Sequence, residues 1–194
     1  MKGKYMMIVE IGIKLNKDFE YYDKTLKDNG FINVFKITTY DIYYTDKILD
    51  NLSENEIKES CIRLRSHDKS KYKIQNCLID NFNEKEISNN ELNDFENKIS
   101  KLGYRKIFNT QKNDFHYYKN GMSSKIQLQN IKDIGLLLYY DNKDYYKFEE
   151  EEQRKMLIDE LNSYGFDFDY NKLGLDKLRT LYYQKEMFSN NQNA

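Results

Sequence analysis

The chain has no tryptophan, no proline, only 8 glycines and only two cysteines in 194 residues. Without proline, and with glycine so sparse, no linker stands out, so one folded domain over residues 1–185 is expected, followed by a frayed polar tail over residues 186–194. The two thiols, Cys61 and Cys77, lack metal-ligand spacing. They exclude a disulfide framework and read as small buried apolar groups in a reducing compartment. No stretch approaches the roughly 18 apolar residues of a membrane-spanning helix, and residues 1–17 lack the apolar core of a secretion signal. A soluble, cytoplasmic protein is the expectation. An excess of one charge is missing too, since 31 Lys+Arg face 32 Asp+Glu for a net of -1. That balance excludes a general pull toward duplex nucleic acid or an anionic membrane, so any anion site must be local.

What the chain does have is charge of both signs, 32% of residues, and rings that carry a hydroxyl, 18 Tyr beside 11 Phe. With 39% hydrophobic residues the sequence is polar for a globular domain, yet too aromatic to stay disordered. The apolar payload is delivered by side chains whose tips need hydrogen-bond partners.

Strands are legible by alternation. In Met7-Ile8-Val9-Glu10-Ile11-Gly12-Ile13-Lys14-Leu15, residues Val9, Ile11, Ile13 and Leu15 take one face while Glu10, Gly12 and Lys14 share the other. The same division recurs in Ile62-Arg63-Leu64-Arg65 and in Lys125-Ile126-Gln127-Leu128-Gln129. Further strands are expected at 34–44, 71–79, 82–87, 105–110, 114–118 and 136–140, and helices at 149–164 and 176–185. Two amphipathic helices echo each other, Asp18 to Gly30-Phe31 and Glu91 to Gly103-Tyr104, each ended by Gly and an aromatic as a C-cap requires. Two related halves are implied. A polar strand face is ordinarily a solvent face. Arg63 and Arg65, however, sit at i and i+2, about 7 Å apart, a repulsion that an anion site explains and a bare surface does not. Closing such a sheet turns its polar faces inward and leaves the apolar faces for helices to cover.

These residues, in this order, resemble the CYTH superfamily, also called triphosphate tunnel metalloenzymes. Its members include thiamine triphosphatases, inorganic tripolyphosphatases, class IV adenylyl cyclases and fungal-type RNA triphosphatases. The opening E-x-E-x-K motif is matched by Glu10-Ile11-Gly12-Ile13-Lys14, with Gly for the second Glu. A D-x-Y-F/Y strand is resembled by Asp41-Ile42-Tyr43-Tyr44, L-R-L-R by Ile62-Arg63-Leu64-Arg65, and the E-x-E that opens the second half by Glu84-Lys85-Glu86. Lys73 falls where the family carries a phosphate-binding Lys, and Lys112 echoes its K-x-R stretch. The family's closing strands are resembled by Ile126 to Asp141, where Gln129 and Tyr139 replace Asp and Glu, and Asp141 shortens a Glu.

The resemblance implies an α+β fold, a closed antiparallel eight-stranded β-barrel (the triphosphate tunnel) with helices packed outside. It implies Lys14, Arg63, Arg65, Lys73 and Lys112 as substrate-binding residues, and Glu10, Glu84, Glu86 and Asp141 as ligands of Mg or Mn. The implied ligand is a small triphosphate: tripolyphosphate, thiamine triphosphate or a nucleotide. Both signs of charge are needed, because cations must neutralise the phosphates before a nucleophile approaches, and hard metal ions take carboxylate and phosphate oxygens. Gly12, Gln129 and Tyr139 each remove an acid, so the anion-holding part is better kept than the metal-holding part. The expectation is triphosphate binding with metal-dependent hydrolysis that is weak. A catalytically degenerate polyanion-binding module and an adenylyl cyclase stay open as alternatives, and no catalytic residue is assigned. Among the plainer readings, Glu10 and Lys14 form an ion pair and Glu84 and Glu86 a solvated edge. His67 and His116 read as ordinary loop or strand residues, and Glu149–Glu152 as a helix start favoured by the macrodipole.

Overall fold

The computed structural model describes residues 9–48, 52, 54–77 and 84–173. The expected helix at 176–185, the tail, and parts of the strands expected from Met7, to Ile79 and from Phe82 lie outside the described residues. The elements run β1 (Ile11–Leu15), α1 (Phe19–Asp28), β2 (Ile32–Thr45), α2 (Glu54–Ser60), β3 (Ile62–Ser66), β4 (Lys71–Gln75) and β5 (Glu86–Ser88). They continue α3 (Leu92–Ser100), β6 (Arg105–Tyr118), β7 (Lys125–Ile131), β8 (Gly135–Tyr140), α4 (Glu150–Ser163) and β9 (Phe168–Leu173).

The strands follow the order β5-β4-β3-β2-β6-β7-β8-β1-β9. The pairs β1 with β8 and β9, β3 with β2 and β4, β4 with β5, and β7 with β8 are all antiparallel. The chain is therefore α+β with an antiparallel sheet, as expected. Hydrogen bonds among the described residues do not close that sheet into a barrel, since β5 and β9 end the order. β5 is only three residues long, and β9 spends its ladder on β1 with a register shift between Ile13 and Leu15. Neither end offers a long regular edge.

Two compact units divide the chain. The first holds Asn113–Ile131 together with the described residues up to Ile37 and from Gly135 on; the second holds Thr38–Lys112 and Lys132–Ile134. Each has its own core. In the first, Ile11, Ile13 and Leu15 join Ile126, Leu128, Leu136 and Leu138 under Tyr22 and Leu26 of α1 and Leu157 and Leu161 of α4. In the second, Ile42, Tyr44, Ile62, Leu64 and Ile74 pack on Phe95 and Ile99 of α3. Each fully buried Leu or Ile contributes about 1.5–3 kcal/mol.

The echo between α1 and α3 is real at atomic level. Gly30 and Gly103 take φ of 82° and 90°, and the amides of Phe31 and Tyr104 donate to Leu26 O at 3.0 Å and Ile99 O at 3.1 Å. Helix α4 stops the same way at Gly165, with the Phe166 amide on Leu161 O at 3.2 Å. A left-handed residue costs glycine nothing and frees the aromatic to pack back on its own helix.

Three elements depart from expectation. The strands expected at 105–110 and 114–118 are one continuous β6, because Gln111-Lys112-Asn113 keeps the buried-exposed alternation and contains no breaker. Helix α2 was not foreseen, since Ile57 is the one apolar residue in Glu54–Ser60 and gives no period. Strand β9 was not foreseen either, because Phe168–Leu173 mixes charges and amides without a clear stripe.

Candidate functional site

In the second unit, antiparallel register sets polar side chains in rows. Asp41 faces Arg65, Arg65 faces Lys73, and Lys73 faces Glu86 across β2, β3, β4 and β5. One step along the strands, Tyr43 faces Arg63 and Arg63 faces Gln75. Since residues of one face recur every second position, Arg63 and Arg65 share a side opposite to the core residues Ile62 and Leu64. That side is not a solvent surface around β2 and β6. Asp41 is 1% exposed, Tyr43 4%, Lys112 5% and Thr110 8%.

Charge inside is compensated by Asp41, the acid of the Asp41-Ile42-Tyr43-Tyr44 segment. Arg65 donates from Nε to Asp41 Oδ1 at 2.7 Å and from Nη2 to Asp41 Oδ2 at 2.8 Å, a bidentate clasp. Burial pushes the Asp41 carboxyl up, but the Arg65 hydrogen bonds and the charges of Arg65, Lys112 and Arg63 outweigh it and hold the group below the usual range. The Tyr43 hydroxyl donates to Asp41 Oδ2 at 3.4 Å, and burial together with the Asp41 charge raises that phenol. Arg63 takes a different partner, donating from Nε to the neutral amide oxygen of Gln75 at 2.8 Å. Lys73 is ion-paired with Glu84. On β6, between Phe108 and Lys112, Thr110 Oγ1 is buried without a hydrogen-bond partner among the described residues.

In the first unit the corresponding sheet face is made differently. Gly12 faces Tyr139, Lys14 faces Leu137, and Gln127 and Gln129 face the same two residues from β7. A Cβ on Gly12 would stand 3.2 Å from Tyr139 Cε1, so the ring fills the space a side chain at position 12 would need. Gln127 Nε2 donates to Oδ1 of the buried Asp114 at 3.2 Å. Glu10 is exposed just before β1, and Asp141 follows β8 and accepts from the Tyr146 hydroxyl. The charges of Asp141 and Glu10 both act on Tyr146, which burial and Asp141 push up to about 12.

The expected residues therefore fall in two groups. Arg63, Arg65, Lys73, Lys112, Glu84 and Glu86 belong to the second unit, and Glu10, Lys14 and Asp141 to the first. Glu84 is not on a strand. It occupies the turn before β5 at φ 65°, its amide donating to Ile74 O at 2.8 Å. Asp41, Tyr43, Gln75 and Thr110 were missing from the expected set. Asp41 could have been found, because it sits at the same strand parity as Tyr43 and its facing strand carries two cations. His67, with Nδ1 3.2 Å from Thr38 O, and His116, whose ring lies against Phe35, are ordinary side chains. Cys61 and Cys77 are buried thiols that form no disulfide with each other.

The described residues hold no ready-made cage for a resident metal ion. Among the described residues no three of His, Cys, Asp and Glu gather to hold one. Glu84 is engaged with Lys73, and Asp141 with a phenol. A six-coordinate hard cation here would need most of its oxygens from elsewhere.

No family model matches the chain, and no curated protein matches it. Solved structures do. The PH1012 protein of Pyrococcus horikoshii OT3 overlays with a TM-score of 0.53 at 15% identity, covering 86% of this chain and 94% of that one. A conserved hypothetical protein from Pyrococcus furiosus gives 0.52 at 15% identity, with coverages of 85% and 94%. At such identity the likeness shows a shared fold and nothing more. A Vibrio parahaemolyticus protein described provisionally as an adenylate cyclase reaches 0.48 at 12% identity over 87% and 97% of the two chains, which carries no argument. No helix among the described residues is long and apolar enough to cross a membrane.

Proposed function

We propose that this chain binds a small triphosphate through the polar face of its second unit and hydrolyses it slowly or not at all. The observation that carries the reading is the gathering of half-buried Arg63 and Arg65 and buried Lys112 about the buried carboxylate of Asp41. Four cations, Arg63, Arg65, Lys73 and Lys112, share this face, and Arg63 has a neutral amide for a partner. Guanidinium groups bind phosphate oxygens through paired N–H donors, and a dry wall strengthens each contact. The unsatisfied Thr110 hydroxyl adds a donor that wants an acceptor on that face. Lys14, in the first unit, enters the proposal through the family motif alone.

Magnesium or manganese is proposed to arrive on the ligand's own phosphates, with Glu86 of the second unit, opposite Lys73, as a candidate protein contact. A cytoplasmic location belongs to the same proposal. Calorimetric titration with tripolyphosphate, thiamine triphosphate and ATP, each with and without Mg, tests the binding. Phosphate release and cyclic AMP formation are followed in parallel. Binding with little turnover is the expected result. Absence of binding by all three ligands overturns the proposal, and rapid turnover overturns its second half.

A further inference from the structure

The Asp41 carboxylate is the most buried charge on the polar face of the second unit, 1% exposed against 25% for the Arg65 side chain it clasps. Its two oxygens take the Nε and Nη2 edge of Arg65, which fixes the plane of the guanidinium and the direction of the remaining corner. Three cationic side chains, Arg65, Lys112 and Arg63, act on that one carboxylate. Two conclusions follow from elementary electrostatics. Cations gathered in a partly dry place repel one another unless an anion sits among them, and here the chain supplies that anion itself. A guanidinium held by a bidentate clasp also loses little further freedom when a second anion meets its outer edge.

We infer that Asp41 is the positioning residue of the anion site, an internal stand-in for ligand charge that aims Arg65 and keeps the cationic cluster folded when no anion is bound. The inference rests on the triphosphate reading for its ligand but not for its geometry. Its consequence is specific. With Asp41 exchanged for a neutral amide of the same shape, the cluster must recruit its anion from solution. Even a small anion such as orthophosphate then stabilises the fold by mass action. Discrimination falls at the same time, because an unaimed Arg65 no longer favours an extended ligand over a compact one.

Thermal unfolding of the wild type, Asp41→Asn and Asp41→Glu is followed in chloride, orthophosphate and tripolyphosphate at matched ionic strength. Asp41→Asn is expected to melt lower than the wild type in chloride and to recover in orthophosphate far more than the wild type gains. Its ratio of tripolyphosphate to orthophosphate affinity should drop about tenfold. Asp41→Glu, which keeps the carboxylate, should need no phosphate. An Asp41→Asn protein equally weakened in chloride and phosphate, or unfolded in both, overturns the positioning role and leaves Asp41 a structural acid. A wild type indifferent to tripolyphosphate beside an Asp41→Asn protein rescued by orthophosphate would sink the triphosphate reading and keep the positioning role. Indifference of both proteins to every anion removes the two together.

Discussion

The two units solve one problem, what to put on the second face of a sheet whose first face is core, with opposite chemistry. In the first, the face around β1 and β8 is more lightly charged: Gly12 lies under the Tyr139 ring beside the amides of Gln127 and Gln129, with Lys14 on β1 and the buried Asp114 accepting from Gln127. In the second, the row across β2 to β5 sets two bases, Arg65 and Lys73, between two acids, Asp41 and Glu86, and Asp41 is buried with a bidentate partner. The difference teaches that charge can be packed inside a small protein only when every sign is answered within reach. A face can instead be made quiet by letting an aromatic ring occupy a glycine's space. The second unit keeps paired charges on its face; the first, with the Tyr139 ring over Gly12, gains packing.

The comparison can be broken most forcefully at the arginines. Replacing Arg63 and Arg65 together by Ala should lower tripolyphosphate affinity by about 100-fold, roughly 2.7 kcal/mol, in a calorimetric titration. An unchanged affinity would show that the charged rows are structural and that the units differ only in style. In the first unit the largest polar investment is Glu160 on α4. It accepts hydroxyls of Tyr140 at 2.6 Å, Tyr145 at 3.0 Å and Tyr164 at 2.8 Å, and the Asn142 amide at 3.1 Å. Glu160→Gln should cost about 2 kcal/mol in urea unfolding, since an amide cannot accept from all four donors, while leaving anion binding intact.

Acid sharpens the contrast further. The Asp41 carboxyl is held below its ordinary value, so its contribution to stability is complete above about pH 5 and is lost as pH falls through the depressed folded value. Urea unfolding at stepped pH from about 7 to 3 should show this acid-side slope reduced in Asp41→Asn. Gly12→Ala should cost about 1 kcal/mol by pressing on Tyr139, and the added change Tyr139→Leu should return most of it. The smallest effect is expected at Thr110→Val. Stability should move within about 0.5 kcal/mol, because the hydroxyl has no partner to lose, while tripolyphosphate binding weakens by about threefold.

Much of the frame was legible in the chain because strand parity and helix stops are local signals. Ile11, Ile13 and Leu15, or Ile62 and Leu64, declare their core side by alternation, and Gly30-Phe31 and Gly103-Tyr104 declare where helices end. Partnership across strands is not local. Asp41 and Arg65 stand 24 residues apart and Arg63 and Gln75 stand 12 apart, so parity says that each faces one side without saying who faces whom. The family resemblance gave the cations a role and marked Asp41 only as part of a strand motif, without its role as the acid that compensates them. It also counted Glu84 as a strand residue, where a turn at positive φ holds it against Lys73. Helix α2 stayed hidden because one buried Ile57 is too little to make a period.

The ring of phenols around Glu160 has an optical consequence. With 18 tyrosines and no tryptophan, the long-wavelength end of this protein's near-ultraviolet absorption comes from phenol. Burial and then the hydrogen bond to Glu160 push Tyr145 up to about 12, and raise Tyr140 and Tyr164 as well. An alkaline titration should therefore reach Tyr140 and Tyr164 late, their ionisation accompanying the opening of the first unit. The molecule carries a built-in indicator dye for its own unfolding.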